Sequence, residues 1–289
     1  MKQKKIAWIT DSTVYLDKEL LEKHHIHVVP LYVIFGETCY KEDVEITAPE
    51  FFERVKKTKE LPKTSQPAVG DFVALYEKLK EEYEYGIAIH VASGTSGTFQ
   101  SSLMAAEITG FNVQVIDSWM GAFTMASMIF EGMELEREGK SRDEIANYLR
   151  TIPPQIRSYI MVQDLELAHR GGRVSGIAYV LGSMLQIKPI VSYENSKIIT
   201  VEKVRKAKKA KNRIFELFED DAKSGVQMQV SIIHTNAWED ANTWKQELQE
   251  TYPHLHFHVS YLGPIVGVHT GEGTIGLTWY KIDKPFQLQ

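Results

Sequence analysis

Short apolar runs alternate with segments of helical spacing through the first half of the chain. Helical spacing places apolar residues three and four positions apart, as at Phe72, Leu75, Tyr76 and Leu79. Strands are predicted at Lys5–Ile9, His27–Phe35, Gly86–Ala92 and Asn112–Asp117. Helices are predicted at Asp17–His24, Thr47–Lys57, Asp71–Glu82 and Ser141–Ile152, with two more ending at Thr109 and near Gly139. This alternation favours a mainly parallel sheet with helices on both faces.

The pattern changes after Pro153-Pro154. Strands are predicted at Tyr159–Gln163, Gln227–His234, His254–Leu262 and Thr274–Lys281, with a hairpin over Ile187–Val204. Helices are predicted at Ile177–Leu185, Lys206–Lys223 and Trp238–Glu250. This half is typical of an α+β domain with an antiparallel sheet, so we expect an α/β domain over residues 1–155 and an α+β domain over residues 156–289.

Composition narrows the class of protein. Of the 289 residues, 43% are hydrophobic and 25% charged, which is an ordinary globular balance, and the net charge of -5 does not favour binding to nucleic acid. A single cysteine, Cys39, excludes an internal disulfide framework. The first apolar run is broken at Asp11 and the run Trp119–Phe130 is too short to span a membrane. We therefore expect a soluble cytoplasmic protein.

A turn rich in glycine and hydroxyl groups follows the strand Gly86–Ala92. It reads SGTSGTFQSS over Ser93–Ser102 and leads directly into a helix. The first N–H groups of a helix lack internal partners and carry the positive end of its dipole, so such a turn suits an anion. The hydroxyls could equally serve only as helix caps, and this feature alone does not separate the two interpretations.

Three further segments have similar chemistry. The loop Leu61–Gly70 holds Thr64-Ser65-Gln66 between two prolines, Arg170-Gly171-Gly172-Arg173 offers guanidinium groups, and His269-Thr270-Gly271 follows a glycine-containing segment. No nucleophile elbow and no phosphate-binding loop sequence occurs, and no general base is visibly paired to a nucleophile. These groups suit the binding of a small anion, with no cofactor; an acyl hydrolase or phosphotransferase that uses Ser96 or His269 is the alternative.

These segments, in this order and spacing, resemble the DegV family of bacterial fatty-acid-binding proteins. The matching motifs are Thr10–Thr13, Leu61–Pro67, Ser96–Ser101, Arg170–Ser175, Lys188–Ile190, Lys203–Arg205 and His269–Gly271. The resemblance implies two α/β domains with a long-chain fatty acid buried between or within them. It also implies, for some members, a partner fatty acid kinase that phosphorylates the bound carboxylate for phospholipid synthesis.

The resemblance assigns roles to residues of this chain. The carboxylate would be held by the hydroxyls of Thr64 and Ser96, the Gly97 N–H and His269, with Arg173 close by. Arg205, in the basic Lys-Val-Arg segment, would face the kinase. Three positions depart from the family pattern, namely Thr95, Lys206 and Glu272, and the last adds a negative charge near the expected carboxylate.

Three other features leave alternatives open. Phe123 and Met128, in the apolar helix after Asp117-Ser118, are candidates for the walls of the acyl pocket, although most residues of such a helix would belong to the core. The basic run Lys203–Lys211 could be a solvated helix face, a site for an acidic partner or, third, a site for nucleic acid. Three alternating histidines at 254, 256 and 258 favour a solvated strand face over a metal site.

Overall fold

The computed structural model describes residues 6–58, 61–175 and 187–282. Contacts divide the chain into two compact units, Met1–Pro154 and Gln155–Gln289. The first unit contains the strands β1 Ile6–Asp11, β2 Ile26–Val29, β3 Tyr32–Phe35, β4 Thr38–Lys41, β5 Lys63–Ser65, β6 Tyr85–His90 and β7 Asn112–Asp117. Its helices are α1 Lys18–Lys23, α2 Ala48–Lys57, α3 Val69–Glu82, α4 Thr98–Thr109, α5 Phe123–Arg137 and α6 Arg142–Leu149.

A parallel sheet forms the centre of the first unit, in the strand order β2-β1-β6-β7. Alternate side chains of β1 point to opposite faces, as in any strand. Ala7 and Ile9 pack with Phe72 of α3 and Ala105 of α4, whereas the Trp8 indole donates to Glu136 of α5 over 2.9 Å. Helices therefore cover both faces, and the predicted parallel sheet flanked by helices is confirmed.

A second, antiparallel sheet of the first unit has the order β4-β3-β5. The sequence predicted one strand over His27–Phe35, but the structure has β2 and β3 separated at Pro30 and Leu31. Proline has no N–H to contribute to a strand ladder, so the chain leaves the parallel sheet there. The predicted loop Leu61–Gly70 also contains β5, which pairs with β3.

Side chains cap two helices as the sequence predicted. The Thr47 N–H donates to Glu50 at the start of α2 over 2.8 Å. At the start of α6 the Ser141 N–H donates to Glu144 over 2.9 Å, and the Glu144 N–H donates back to Ser141 Oγ. These bonds satisfy N–H groups that have no partner inside their helices.

The second unit is built on one mainly antiparallel sheet. Its strands are β8 Arg157–Met161, β9 Val174–Ser175, β10 Ile187–Glu194, β11 Lys197–Arg205, β12 Met228–His234, β13 Phe257–Tyr261 and β14 Ile275–Lys281. Its helices are α7 Leu165–Gly171, α8 Ala207–Ala222, α9 Trp238–Thr251 and α10 Pro264–Thr270. The strand order is β13-β12-β14-β8-β10-β11-β9, and only the two outermost pairs, β13 with β12 and β11 with β9, are parallel. The predicted α+β class is confirmed.

Several predicted elements differ from the observed ones in this unit. The glycine-containing segment before His269, residues 263–267, was not predicted as a helix but includes the start of α10, where Pro264 occupies the first turn and needs no N–H partner. Strand β13 begins at Phe257, so of the three alternating histidines only His258 lies in it. The predicted helix Ile177–Leu185 lies outside the described residues, among which no helix has the length and apolarity of a membrane span.

Candidate functional site

The hydroxyl-rich turn joins β6 to α4 in the first unit. The N–H groups of Thr95 and Ser96 both donate to the Ala92 carbonyl, at 2.9 and 3.1 Å, which closes the turn. Helix α4 then begins at Thr98, after Gly97 at the N-cap. Ser96 Oγ lies 2.8 Å from Thr98 Oγ1. The turn thus presents a hydroxyl and the N–H of Gly97 at the positive end of a 12-residue helix.

Carboxylates at the ends of neighbouring strands hold this turn. Buried Asp11 accepts from the N–H of Val91 at 3.0 Å, from Nδ1 of His90 at 3.1 Å and from the N–H of Thr13 at 3.0 Å. Asp117 accepts from both the N–H and the hydroxyl of Ser93. Both carboxylates are therefore occupied in fixing the carboxyl edge of the sheet, where α/β proteins bind ligands.

The loop that carries Thr64 meets the start of α4 through Gln66. Thr64 lies in β5, paired with Val33 of β3. Two residues later, Gln66 Nε2 donates to Ser101 Oγ over 3.0 Å. The Gln66 amide also covers Gly97, where an added Cβ would lie 2.6 Å from both Cδ and Nε2 of the glutamine. Two of the segments singled out from sequence are thus in contact.

In the second unit, the structure brings His269 and Arg173 together around Gly171. His269 lies near the end of α10, and an added Cβ at Gly171 would lie 2.5 Å from its Nδ1. Arg173 Nη1 donates to the Gly171 carbonyl over 2.6 Å. The glycine in this Gly-Gly-Arg motif therefore makes room for the imidazole, and the arginine is held beside it.

Burial, and to a smaller degree the charge of Arg173, lowers the pKa of His269 to about 4. The imidazole is therefore neutral near pH 7 and carries one ring proton. A neutral imidazole with a guanidinium nearby can donate a hydrogen bond to an anion.

Glu272 departs from the pattern of the resembling family, and it follows directly on the His-Thr-Gly segment. Its side chain is exposed and accepts from Asn236 Nδ2 over 2.6 Å. Gly271, with a φ of +82°, turns the chain between α10 and this residue. The hydrogen bond occupies one Glu272 oxygen within the second unit.

The remaining predicted residues lie in α5 and β11. Phe123 and Met128 belong to α5 and are buried, with 4% and 0% of their surface exposed. Arg205 is the last residue of β11 and is exposed. Within the ranges that the structure describes, no three His, Cys, Asp or Glu side chains cluster as a metal site would require.

A cavity of about 530 Å³ lies in the first unit, away from this turn. It lies at the amino ends of β1 and β6, with Trp8, Tyr85 and Glu136 in its walls. Ser96 follows the carboxyl end of β6, so the cavity and the hydroxyl turn lie at opposite edges of the sheet. Neither Phe123 nor Met128 lines it.

Two of these contacts were not predicted from the sequence. One is the contact of Gln66 with Gly97, and the other is the contact of His269 with Gly171. The only sequence signal was a glycine near a candidate ligand-binding residue, Gly97 next to Ser96 and Gly171 two positions before Arg173. Which side chain fills the space left by a glycine depends on residues distant in sequence.

Comparison with known proteins gives matches over nearly the whole chain. The family model described as "Uncharacterised protein, DegV family" matches residues 5–282. Protein DegV of Bacillus subtilis is 42% identical over 276 residues, which are 95% of this chain and 98% of that protein.

Solved structures give the same result. "DegV, a fatty acid binding protein from Bacillus subtilis" is 41% identical with a TM-score of 0.88, covering 97% of this chain and 100% of that one. A fatty-acid-binding DegV family protein from Thermus thermophilus is 30% identical with a TM-score of 0.87, covering 96% of this chain and 100% of that one. A stearic acid-binding protein from Eubacterium ventriosum is 25% identical with a TM-score of 0.85, covering 96% and 98%.

Proposed function

The chain belongs to the DegV family, and on this premise we propose that it binds a long-chain fatty acid and presents the carboxylate to a partner fatty acid kinase. The observation that carries the proposal is the turn before α4, where uncharged donors meet the positive end of a helix. It is supported by relatives at 41% and 30% identity whose solved structures are described as fatty-acid-binding.

The groups proposed to bind the carboxylate are Thr64, Ser96 and the N–H of Gly97 and, on likeness to the family, His269 and Arg173. A carboxylate taken out of water costs several kcal/mol unless donors replace its hydration. Hydroxyls, a backbone N–H and a neutral imidazole supply such donors, and the guanidinium of Arg173 adds a positive charge.

Burial of the acyl tail provides the favourable free energy of binding. A chain of roughly 14 methylenes gains about 11 kcal/mol on leaving water, at about 0.8 kcal/mol each. Phe123 and Met128 of α5 are the proposed contacts with the tail. Methionine adapts its shape to an irregular apolar guest, which suits a tail of variable length.

The proposed kinase transfers the γ-phosphoryl group of ATP to a carboxylate oxygen, so that an acyl phosphate and ADP form. This chain supplies the substrate and has no turnover of its own. Arg205, exposed at the end of β11, is the proposed contact with the kinase.

Mass spectrometry tests the proposal directly. Protein purified from cells is denatured and its extract analysed, and we expect one long-chain fatty acid per chain. Ser96→Ala should fold normally and retain less fatty acid, because it removes a donor from the carboxylate. Thr95→Ala is the matched control, because the Thr95 hydroxyl already donates to the Ala92 carbonyl.

Two results would contradict the proposal. One is an empty protein that hydrolyses acyl esters, which would identify the chain as an enzyme. The other is a Ser96→Ala variant that retains as much fatty acid as the wild type, which would remove the turn from the binding site.

A further inference from the structure

The backbone conformation of Gly97 does not explain why this residue is a glycine. Its φ is -79° and its ψ is 8°, a conformation open to any residue. The space at its Cα is instead filled by Gln66, whose Cδ and Nε2 would each lie 2.6 Å from an added Cβ. A distance that short requires a displacement, and the far end of the exposed, flexible Gln66 side chain is the part that moves most easily.

A hydrogen bond also fixes the Gln66 side chain. Its Nε2 donates to Ser101 Oγ over 3.0 Å, and Ser101 lies one helical turn after Gly97. Ser101 is 2% exposed, so its hydroxyl is held inside the unit. One amide therefore contacts both the N-cap of α4 and the first turn of that helix, while its backbone belongs to the loop of Thr64.

We propose that Gln66 is a positioning residue for the fatty acid carboxylate, and that Gly97 leaves the room in which the Gln66 amide lies. This inference rests on the proposed function. Thr64 is two residues before Gln66, and Ser96 is next to Gly97. The amide fixes the loop that carries the first hydroxyl against the turn that carries the second. Without it, each segment would have to be ordered when the ligand binds, at a cost in conformational entropy.

Binding of hexadecanoic acid to delipidated full-length chain tests the proposal. Gln66→Ala should weaken binding about fivefold, as expected for the loss of one neutral hydrogen bond and its packing. Gln100→Ala is the matched control, because Gln100 is an exposed glutamine on α4 itself, and it should bind as the wild type does. Thermal unfolding of Gln66→Ala should remain close to that of the wild type, because Gln66 is exposed.

A double-mutant cycle separates positioning from a general structural effect. Gly97→Ala alone should weaken binding about fivefold, as Gln66→Ala does, because the new methyl group displaces the Gln66 amide. In the Gln66→Ala background the same methyl group has room. The double variant should therefore bind as Gln66→Ala alone does, so that the two losses do not multiply.

Two outcomes would overturn the inference while the proposed function stands. In one, Gln66→Ala binds as tightly as the wild type although Ser96→Ala is impaired. In the other, the losses of Gln66→Ala and Gly97→Ala multiply in the double variant. If the wild type itself does not bind hexadecanoic acid, or Ser96→Ala is unimpaired, the proposed function fails and the inference fails with it.

Discussion

Two histidines of the second unit are held neutral by burial. The pKa of His234 is lowered to about 4 by loss of solvation, and that of His269 is lowered to about 4 by loss of solvation and by Arg173. His234 Nδ1 accepts the N–H of Ala237 over 3.1 Å, so its ring proton lies on Nε2. An unfolded histidine has a pKa near 6.5, so folding disfavours protonation at both sites.

This difference makes stability depend on pH. Because the pKa is lower in the folded state, the contribution of each neutral histidine to folding stability is fully present above about pH 6.5. That contribution is lost as pH falls from about 6.5 towards 4. We expect the urea midpoint of delipidated protein to fall between pH 7 and pH 5. His234→Asn and His269→Asn should each reduce that fall, because asparagine does not titrate.

The exposed His256 provides the control. His256→Gln removes an exposed histidine and leaves both buried ones in place, so it controls for the replacement of a histidine as such. A His234→Asn variant whose midpoint falls as steeply as that of the wild type would show that His234 is not a source of the effect.

At the residue scale, the sequence identified candidate ligand-binding groups but not the residues that position them. Ser96 and Gly97 could be singled out because a strand, a glycine-rich turn and a helix follow one another in the chain. The roles of Thr64, His269 and Arg173 came from resemblance. The contact of Gln66 with Gly97 joins residues 31 positions apart, and no local pattern encodes it. Such contacts depend on how the elements pack.

At the scale of elements, α5 and β1 pack closely because α5 has a glycine at their contact. Gly132 lies in α5 beside the Trp8 ring, and an added Cβ would lie 2.8 Å from Cζ3 of that ring and 3.1 Å from Cδ1 of Leu149. All three residues are buried, so the neighbours have little room to move. The glycine weakens the helix locally but permits the close approach.

Alanine substitutions should therefore act in opposite directions at two helical glycines. Gly132→Ala should destabilise the fold by about 1–3 kcal/mol through overpacking. Gly70→Ala, in the first turn of α3 with nothing within 4 Å of the new methyl group, should stabilise it by about 0.5–1 kcal/mol. Urea denaturation measures both. Equal effects at the two positions would refute the packing explanation of Gly132.

Elements with strong local signals were predicted well, and elements whose formation depends on pairing were not. The strand Asn112–Asp117 and the capped helix from Ala48 to Lys57 agree with prediction. The three-residue strand β5 was missed because Lys63–Ser65 is polar and forms a strand only by pairing with β3. Helix α10 was missed because Gly267 lowers helix propensity, which burial of Ile265 and Val268 outweighs.

At the scale of the whole molecule, charge is unevenly distributed. The chain has a net charge of -5, yet the segment from the end of β11 to the start of α8 is basic. Lys203, Arg205, Lys206, Lys208 and Lys209 are exposed, and none of them has an ion-pair partner among residues 6–58, 61–175 and 187–282. By contrast, Lys211 pairs with Glu247, and Arg213 pairs with Glu202 and Glu216.

Exposed cations of this kind suit an acidic surface on a partner protein. We expect the proposed kinase to present such a surface to the basic segment. Charge complementarity acts mainly on association and is screened by salt over about 8 Å at physiological ionic strength. Arg205→Ala should therefore retain fatty acid as the wild type does but lower the rate of acyl-phosphate formation by a fatty acid kinase. The difference from the wild type should shrink as salt is raised.

The matched control for Arg205→Ala lies at the other end of β11. Lys197→Ala removes one exposed cation from that strand but lies outside the basic segment, so it should be phosphorylated at the rate of the wild type. An equal loss in both variants would indicate that net charge, and not this segment, governs the encounter. Equal rates for Arg205→Ala and the wild type at low salt would remove Arg205 from the kinase contact, because that is the condition in which its charge acts most strongly.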